Sequence, residues 1–437
     1  MAHRSPRVPQ EILEEVVDCL PHNSLDSLKA IALASRYLLE SARRRLFHKV
    51  YLTEPLWLPI ATWKISRSNP ALFKYARQVI VRRCGPCFQV SEIVLRDVLR
   101  HVEGVRSLDI DDSCTLREWV KYGLFDLCSA LVKLSVDLDQ DIPLDFLYSL
   151  PLQHLRITYT PSIWQTQNIG EPSFTCPSWQ LKSLHYSHAH NGGMGRPKMP
   201  LLASPLSEAQ VYGGLVHLSL DILQVSDHNF ALSRILPACT NSPLETLRLR
   251  YINDFYGSRG LSRIVPDGLP TFPSLRYLSI GLPSFWVEDY PAMPRRQANF
   301  FSALIGQSAQ PALEAMGALF SWNMRSLTPT QLGPQNFIVR ELGWDKMDAV
   351  LASQALYPRL RAVRVMVHLE GRPTGAYERY MSGDGSELGE VLREQTMAAL
   401  SNARGSGLII DSGSKATGYA FDQIENSMLN PTWNSLA

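Results

Sequence analysis

"LETLRLR", residues 244–250, sets Leu244, Leu247 and Leu249 in the pattern apolar-x-x-apolar-x-apolar. Leu247 and Leu249 stand two residues apart, the period of a strand, so both side chains point to one face and their neighbours to the other. The pattern returns along most of the chain: Ala76-x-x-Val79-x-Val81, Val105-x-x-Leu108-x-Ile110, Leu131-x-x-Leu134-x-Val136 and Leu152-x-x-Leu155-x-Ile157. It continues as Leu181-x-x-Leu184-x-Tyr186, Leu215-x-x-Leu218-x-Leu220, Leu275-x-x-Leu278-x-Ile280 and Leu360-x-x-Val363-x-Val365. Successive starts keep the spacing of a repeat array, with one much longer step from Leu275 to Leu360. A short strand per interval, with an arch returning the chain, lets neighbouring units share one apolar core.

Pro151, Pro243, Pro273 and Pro358 precede strands, where a residue that cannot continue a helix and biases its predecessor to extended geometry belongs. Helical periodicity over 91–102 and 344–356 marks two arches. Residues 186–214, rich in Gly and Pro, read as a surface excursion, and 281–335 as one or two degenerate units, with Val339-x-x-Leu342-x-Trp344 a further strand. Beyond residue 371 the sequence predicts a helix over "SELGEVLREQTMAALSNAR", with Leu388, Val391, Leu392 and Ala399 on one side. The strand "GLIID" follows, and the segment closes the array.

Over residues 70–370 this pattern resembles leucine-rich repeats, without the Asn or Cys expected after each strand, which implies an irregular horseshoe with uneven curvature. On its inner face the intervening positions would be open to a partner: His154, Arg156, His217, Asp221, Arg248, Arg250, Tyr277 and Arg364. That mildly basic band suits an acidic or phosphorylated protein. A non-repetitive α/β domain with Leu-rich strands is the plainer alternative.

Residues 7–50 have a different rhythm. Pro9 suits a first helical residue and Glu11 the first turn, and Ile12, Leu13, Val16, Val17 and Leu20 form one apolar stripe. Pro21-His22-Asn23 ends that helix. Ser24 caps a second carrying Leu25, Leu28, Ile31 and Leu33, and a third carries Tyr37, Leu38, Leu39, Leu46 and Phe47. So short a packet buries too little surface to stand alone and needs a partner or the rest of the chain.

The segment resembles the F-box: Val8-Pro9-Gln10-Glu11 is similar to its opening Leu-Pro-x-Glu, and Leu20, Leu25 and Leu28 fall where it places aliphatics. Ala34-Ser35-Arg36-x-Leu38 stands for Val-Cys-Lys/Arg-x-Trp, and Leu46-Phe47 for Leu-Trp. The resemblance implies docking on a Skp-family adaptor, and through it a cullin scaffold, by Pro9, Ile12, Leu13, Val16, Leu20, Leu25, Leu28, Leu33 and Leu38. The expected fold class is α/β: a three-helix F-box over 1–52, an irregular leucine-rich-repeat-like solenoid (horseshoe) over 53–370, and a cap and tail over 371–437. The expected function is a non-catalytic substrate receptor of a ubiquitin ligase, with an interaction scaffold without a ubiquitin role as the alternative.

Other chemistry is weaker. A net charge of +2 on 437 residues, with 19% charged, gives no basic excess for nucleic acid. No stretch is apolar for the length of a membrane span. Seven scattered cysteines fit a reducing compartment, cytoplasmic or nuclear. Cys84-Gly85-Pro86-Cys87 resembles a thioredoxin motif at a strand-to-helix turn, which keeps a redox reading open, but the flanks lack a compact βαβ unit. Cys114 and Cys128 do not complete a zinc set, and His185, His188 and His190 have no acidic or Cys partner nearby in sequence. No nucleophile elbow or phosphate loop occurs, so no catalytic residue, metal or cofactor is implied.

Overall fold

A computed structural model describes residues 8–20, 24–52, 70–82, 104–111, 128–138, 150–159, 180–188, 212–223, 225–252, 268–282, 292–323, 343–370 and 386–416. It also describes Leu116, Trp119, Val120, Gly123, Phe125 and Leu147. The chain forms two compact units, Met1–Trp179 and Gln180–Ala437.

The first unit opens with helices α1 (Gln10–Cys19), α2 (Leu25–Ala34) and α3 (Leu39–Leu46). Strands β1 (Lys49–Leu52), β2 (Gln78–Arg82), β3 (Ser107–Asp111), β4 (Lys133–Leu138) and β5 (His154–Tyr159) follow, with a 3₁₀ turn at Pro70–Tyr75. The second unit holds β6 (Ser183–His188), β7 (His217–Ile222), β8 (Thr246–Tyr251), β9 (Tyr277–Leu282), β10 (Ala315–Asn323), β11 (Ala362–Glu370) and β12 (Ile409–Ala416). Its helices are α4 (Val225–Phe230), which runs through a wide turn at Ala231–Ile235 into α5 (Leu236–Ala238), then α6 (Ala292–Ile305), α7 (Trp344–Leu351), α8 (Ser386–Ala399) and α9 (Ser401–Gly405).

Within each unit the strands lie in chain order, β1 to β5 in the first and β6 to β12 in the second, and every described pairing is parallel. The leucines of "LETLRLR" explain the register. Leu247 is paired with Leu218 and Leu278, and Leu249 with Leu220 and Ile280, so equivalent side chains form continuous apolar rows, all buried. In the first unit Leu108–Leu134–Leu155 and Ile110–Val136–Ile157 do the same. Each such side chain stabilises by roughly 1.5–3 kcal/mol relative to leaving it in water.

The entries to most of the described strands repeat one hydrogen-bond device. The carbonyl just ahead of a strand accepts two successive N–H groups of the next unit: His48 O from Arg77 (2.9 Å) and Gln78 (3.0 Å), and Arg77 O from Arg106 (2.9 Å) and Ser107 (3.0 Å). In the second unit Val216 O accepts from Glu245 and Thr246, Glu245 O from Arg276 and Tyr277, and Glu314 O from Arg361 and Ala362. Two donors on one carbonyl use both lone pairs and lock register before the strand begins.

Helices cover the apolar rows where large side chains meet. Phe301 of α6 packs edge-on against Phe320 of β10 (5.8 Å), and Phe320 meets Trp344 of α7 (5.3 Å). Buried Asp348 of α7 caps α9 from far away in sequence, its Oδ1 accepting from Ala403 N (2.8 Å) and its Oδ2 from Asn402 N (3.0 Å). A carboxylate there satisfies helix-start donors that would otherwise lack partners.

This architecture corrects the expected fold. The chain is not a three-helix F-box followed by a leucine-rich-repeat horseshoe; it is α/β, with twelve parallel strands, five in the first unit and seven in the second, and few helices. Only Phe47 and His48 separate α3 from β1, and β1 pairs with β2 along its whole length, so no independent helical head precedes the sheet. The apolar template specifies strands buried in parallel register, a property shared by parallel sheets generally, and carries no information on which repeat architecture holds them. Trp344, which the sequence offered both as the end of a strand and as the start of the 344–356 helix, opens α7. Gly343 before it has φ of 79°. That left-handed turn breaks extended backbone.

Candidate functional site

The N-terminal helices combine inward anchors with outward apolar side chains. On α1, Val17 is buried at 1% exposure and the helix packs on α3, while Ile12 (49%), Leu13 and Val16 (56%) of the same stripe face outward. On α2, Leu28 is the anchor at 1%, whereas Leu25 and Leu33 are exposed, Leu33 at 90%. Leu20 and Leu38 are half-buried, Pro9 is exposed, and Val8 and Tyr37 are exposed too. Seven of the eight large apolar side chains found exposed among the described residues lie between 8 and 37. Single exposed leucines are ordinary on a protein surface, but such a concentration in one short segment marks an interaction surface.

Polar contacts tie these helices to one another and to the 3₁₀ turn before β2. The Arg45 guanidinium donates to the Leu20 carbonyl, holding the end of α1 against α3, and Arg44 lies 4.0 Å from Glu14. Tyr75 Oη donates to Glu40 of α3 (2.5 Å), and Lys74 Nζ stands 3.8 Å from the same carboxylate and over the Tyr75 ring. Exposed Glu11, Glu15 and Asp18 flank the apolar side chains of α1.

The structure therefore divides the nine expected adaptor contacts. Pro9, Ile12, Leu13, Val16, Leu25 and Leu33 are open, Leu20 and Leu38 are partly open, and Leu28 belongs to the interior. Sequence reading left Val8 out of the contact set and placed Tyr37 with the packing of the third helix. Tyr37 precedes α3, and the polar Ser35-Arg36 pair before it is the signal of that break.

The eight sheet positions divide as well. Arg156 and His217 are exposed; His154, Tyr277 and Arg364 are half-buried. Asp221, Arg248 and Arg250 are buried. Asp221 and Arg250 are register partners on β7 and β8, and the guanidinium grips both carboxylate oxygens, Nε donating to Oδ1 at 2.7 Å and Nη2 donating to Oδ2. These two charges serve each other inside the fold.

Of the cysteines, Cys19 is exposed, while burial pushes the Cys128 thiol up to about 11 and Cys239 up to about 12. Both therefore stay protonated and unreactive. Cys84, Cys87, Cys114 and Cys176 lie outside the described residues, as do the 91–102 arch and His190. No described helix is long and apolar enough to cross a membrane. No protein-family model matches the chain, and no curated protein matches it.

Proposed function

We propose that this protein is a non-catalytic receptor subunit of a cullin-based ubiquitin ligase, acting in the cytoplasm or nucleus, whose N-terminal helices dock on a Skp-family adaptor while the sheet region holds a target protein. The observation that carries the reading is the concentration of outward apolar side chains on α1 and α2, at the positions that the resemblance to the F-box assigns to adaptor contact. Burying Ile12, Val16, Leu25, Leu33 and Tyr37 under a partner would remove apolar surface from water, and binding of this kind is dominated by a few such anchors. The mechanism is proximity: target and ubiquitin donor held in one assembly react at raised effective concentration.

Ile12→Asp/Val16→Asp tests it cleanly, because both side chains are exposed and a charge there leaves the interior intact, unlike a charge at buried Leu28. Mass spectrometry of what co-purifies with the full chain should show adaptor and cullin with the native sequence and lose both with the variant. Co-purification unchanged by the substitutions would contradict the reading.

A further inference from the structure

Strand β12 is the outermost of the second unit. It pairs with β11 from Ala362–Ile409 to Leu369–Ala416, and among the described residues no strand lies on its other side. Ile409 N donates to the Arg361 carbonyl (2.8 Å), which sets the parity of the strand. In a parallel ladder successive residues turn their N–H and C=O alternately to one side and the other, so Ile409, Asp411, Gly413 and Lys415 serve β11. The backbone groups of Ile410, Ser412, Ser414 and Ala416 point away from it. Such a row is a template for a further strand. The eighth large apolar side chain found exposed among the described residues, Ile409 at 53%, begins this same edge.

The order of residues in β12 says which strand fits. Laid antiparallel on a second copy about a two-fold axis at Gly413, it sets Ser412 opposite Ser414 and Ile410 opposite Ala416. These are the residues whose backbone groups point outward, so each pair exchanges two hydrogen bonds, about eight across the axis. Asp411 of each copy then stands opposite Lys415 of the other, and Gly413 opposite itself. Those positions are the non-hydrogen-bonded ones, where opposite residues approach most closely and opposite charges favour pairing. A slip of two residues either way loses both charge pairings. A slip of one sets outward groups against residues that serve β11.

The geometry points to a homodimer interface in which β12 of one copy pairs antiparallel with β12 of another across a two-fold axis at Gly413. The occupant is a second copy because the strand is complementary to its own reverse. A lysine on an edge strand commonly blunts it; here Asp411 answers Lys415 at the matched position. The interface goes beyond the receptor reading and does not rest on it, since β12 belongs to the second unit and α1 and α2 to the first.

Sedimentation equilibrium of the full chain from about 1 to about 100 µM tests it. A monomer–dimer equilibrium is expected. Ser414→Pro removes an outward N–H and none that serves β11, and should weaken the dimer about tenfold at the native urea midpoint. Lys415→Asp should weaken it about tenfold by setting like charges opposite each other, and Asp411→Lys/Lys415→Asp should restore it. Mild oxidation of Gly413→Cys should join two copies through position 413, mapped by mass spectrometry, because opposite Cα atoms at such a position stand about 4.5 Å apart. Ile12→Asp/Val16→Asp should dimerise as the native chain does, which separates this interface from the adaptor site. A monomer at every concentration, a dimer indifferent to Ser414→Pro and Lys415→Asp, failure of the double exchange to restore it, or oxidation that joins no copies through position 413 would overturn the inference.

Discussion

Asp221 and Arg250 face each other across β7 and β8 as a bidentate ion pair with side-chain exposures of 1% and 5%. Charges so buried are tolerable only together, because either alone would be left in a medium that solvates it poorly. Asp221→Ala or Arg250→Ala should therefore lower stability by about 3–5 kcal/mol, read from urea unfolding. Asp221→Leu/Arg250→Met should recover most of that loss. Single replacements no worse than surface substitutions would contradict the burial.

Arg276 and Glu314 are a half-buried counterpart, and here acid is the probe. The hydrogen bonds from Arg276 hold the Glu314 carboxyl below the usual glutamate value of 4.5. A group whose folded value is depressed stabilises above its unfolded value and loses that contribution as pH falls through the folded one. The stability of the native chain should thus decline more steeply below about pH 4.5 than that of Glu314→Gln. Solvent screens the pair, so the difference should be small, about 0.2–1 kcal/mol. Identical acid profiles would mean that the pair adds nothing to stability.

Thiol chemistry should separate sharply by burial. Brief iodoacetamide treatment of the folded chain near neutral pH should label exposed Cys19 while sparing Cys128 and Cys239, and urea should open the last two. Peptide mapping by mass spectrometry reads the order. Early labelling of Cys239 would mean that its surroundings open readily.

The strands were legible because their apolar rows are written in leucine, as at Leu218, Leu247 and Leu278. β10 was harder to see: its row is Met316 and Ala318, with Gly317 between them, since Phe320 on the same strand meets aromatic side chains of α6 and α7. Burial of Asp221, Arg248 and Arg250 was not legible. A period of two tells which face a side chain takes, and says nothing about what covers that face. In the N-terminal helices the apolar stripe was plain in sequence. Its division into inward Val17 and Leu28 and outward Ile12, Val16 and Leu33 depends on where α3 packs, which periodicity alone does not give.

Direct titration of purified Skp-family adaptor against the full chain by calorimetry tests the central claim most closely. Saturable one-to-one binding is predicted, with affinity reduced more than about a hundredfold by Ile12→Asp/Leu33→Asp in a chain that still unfolds at the native urea midpoint. Binding at native affinity by that variant, or no binding by the native chain, would contradict it.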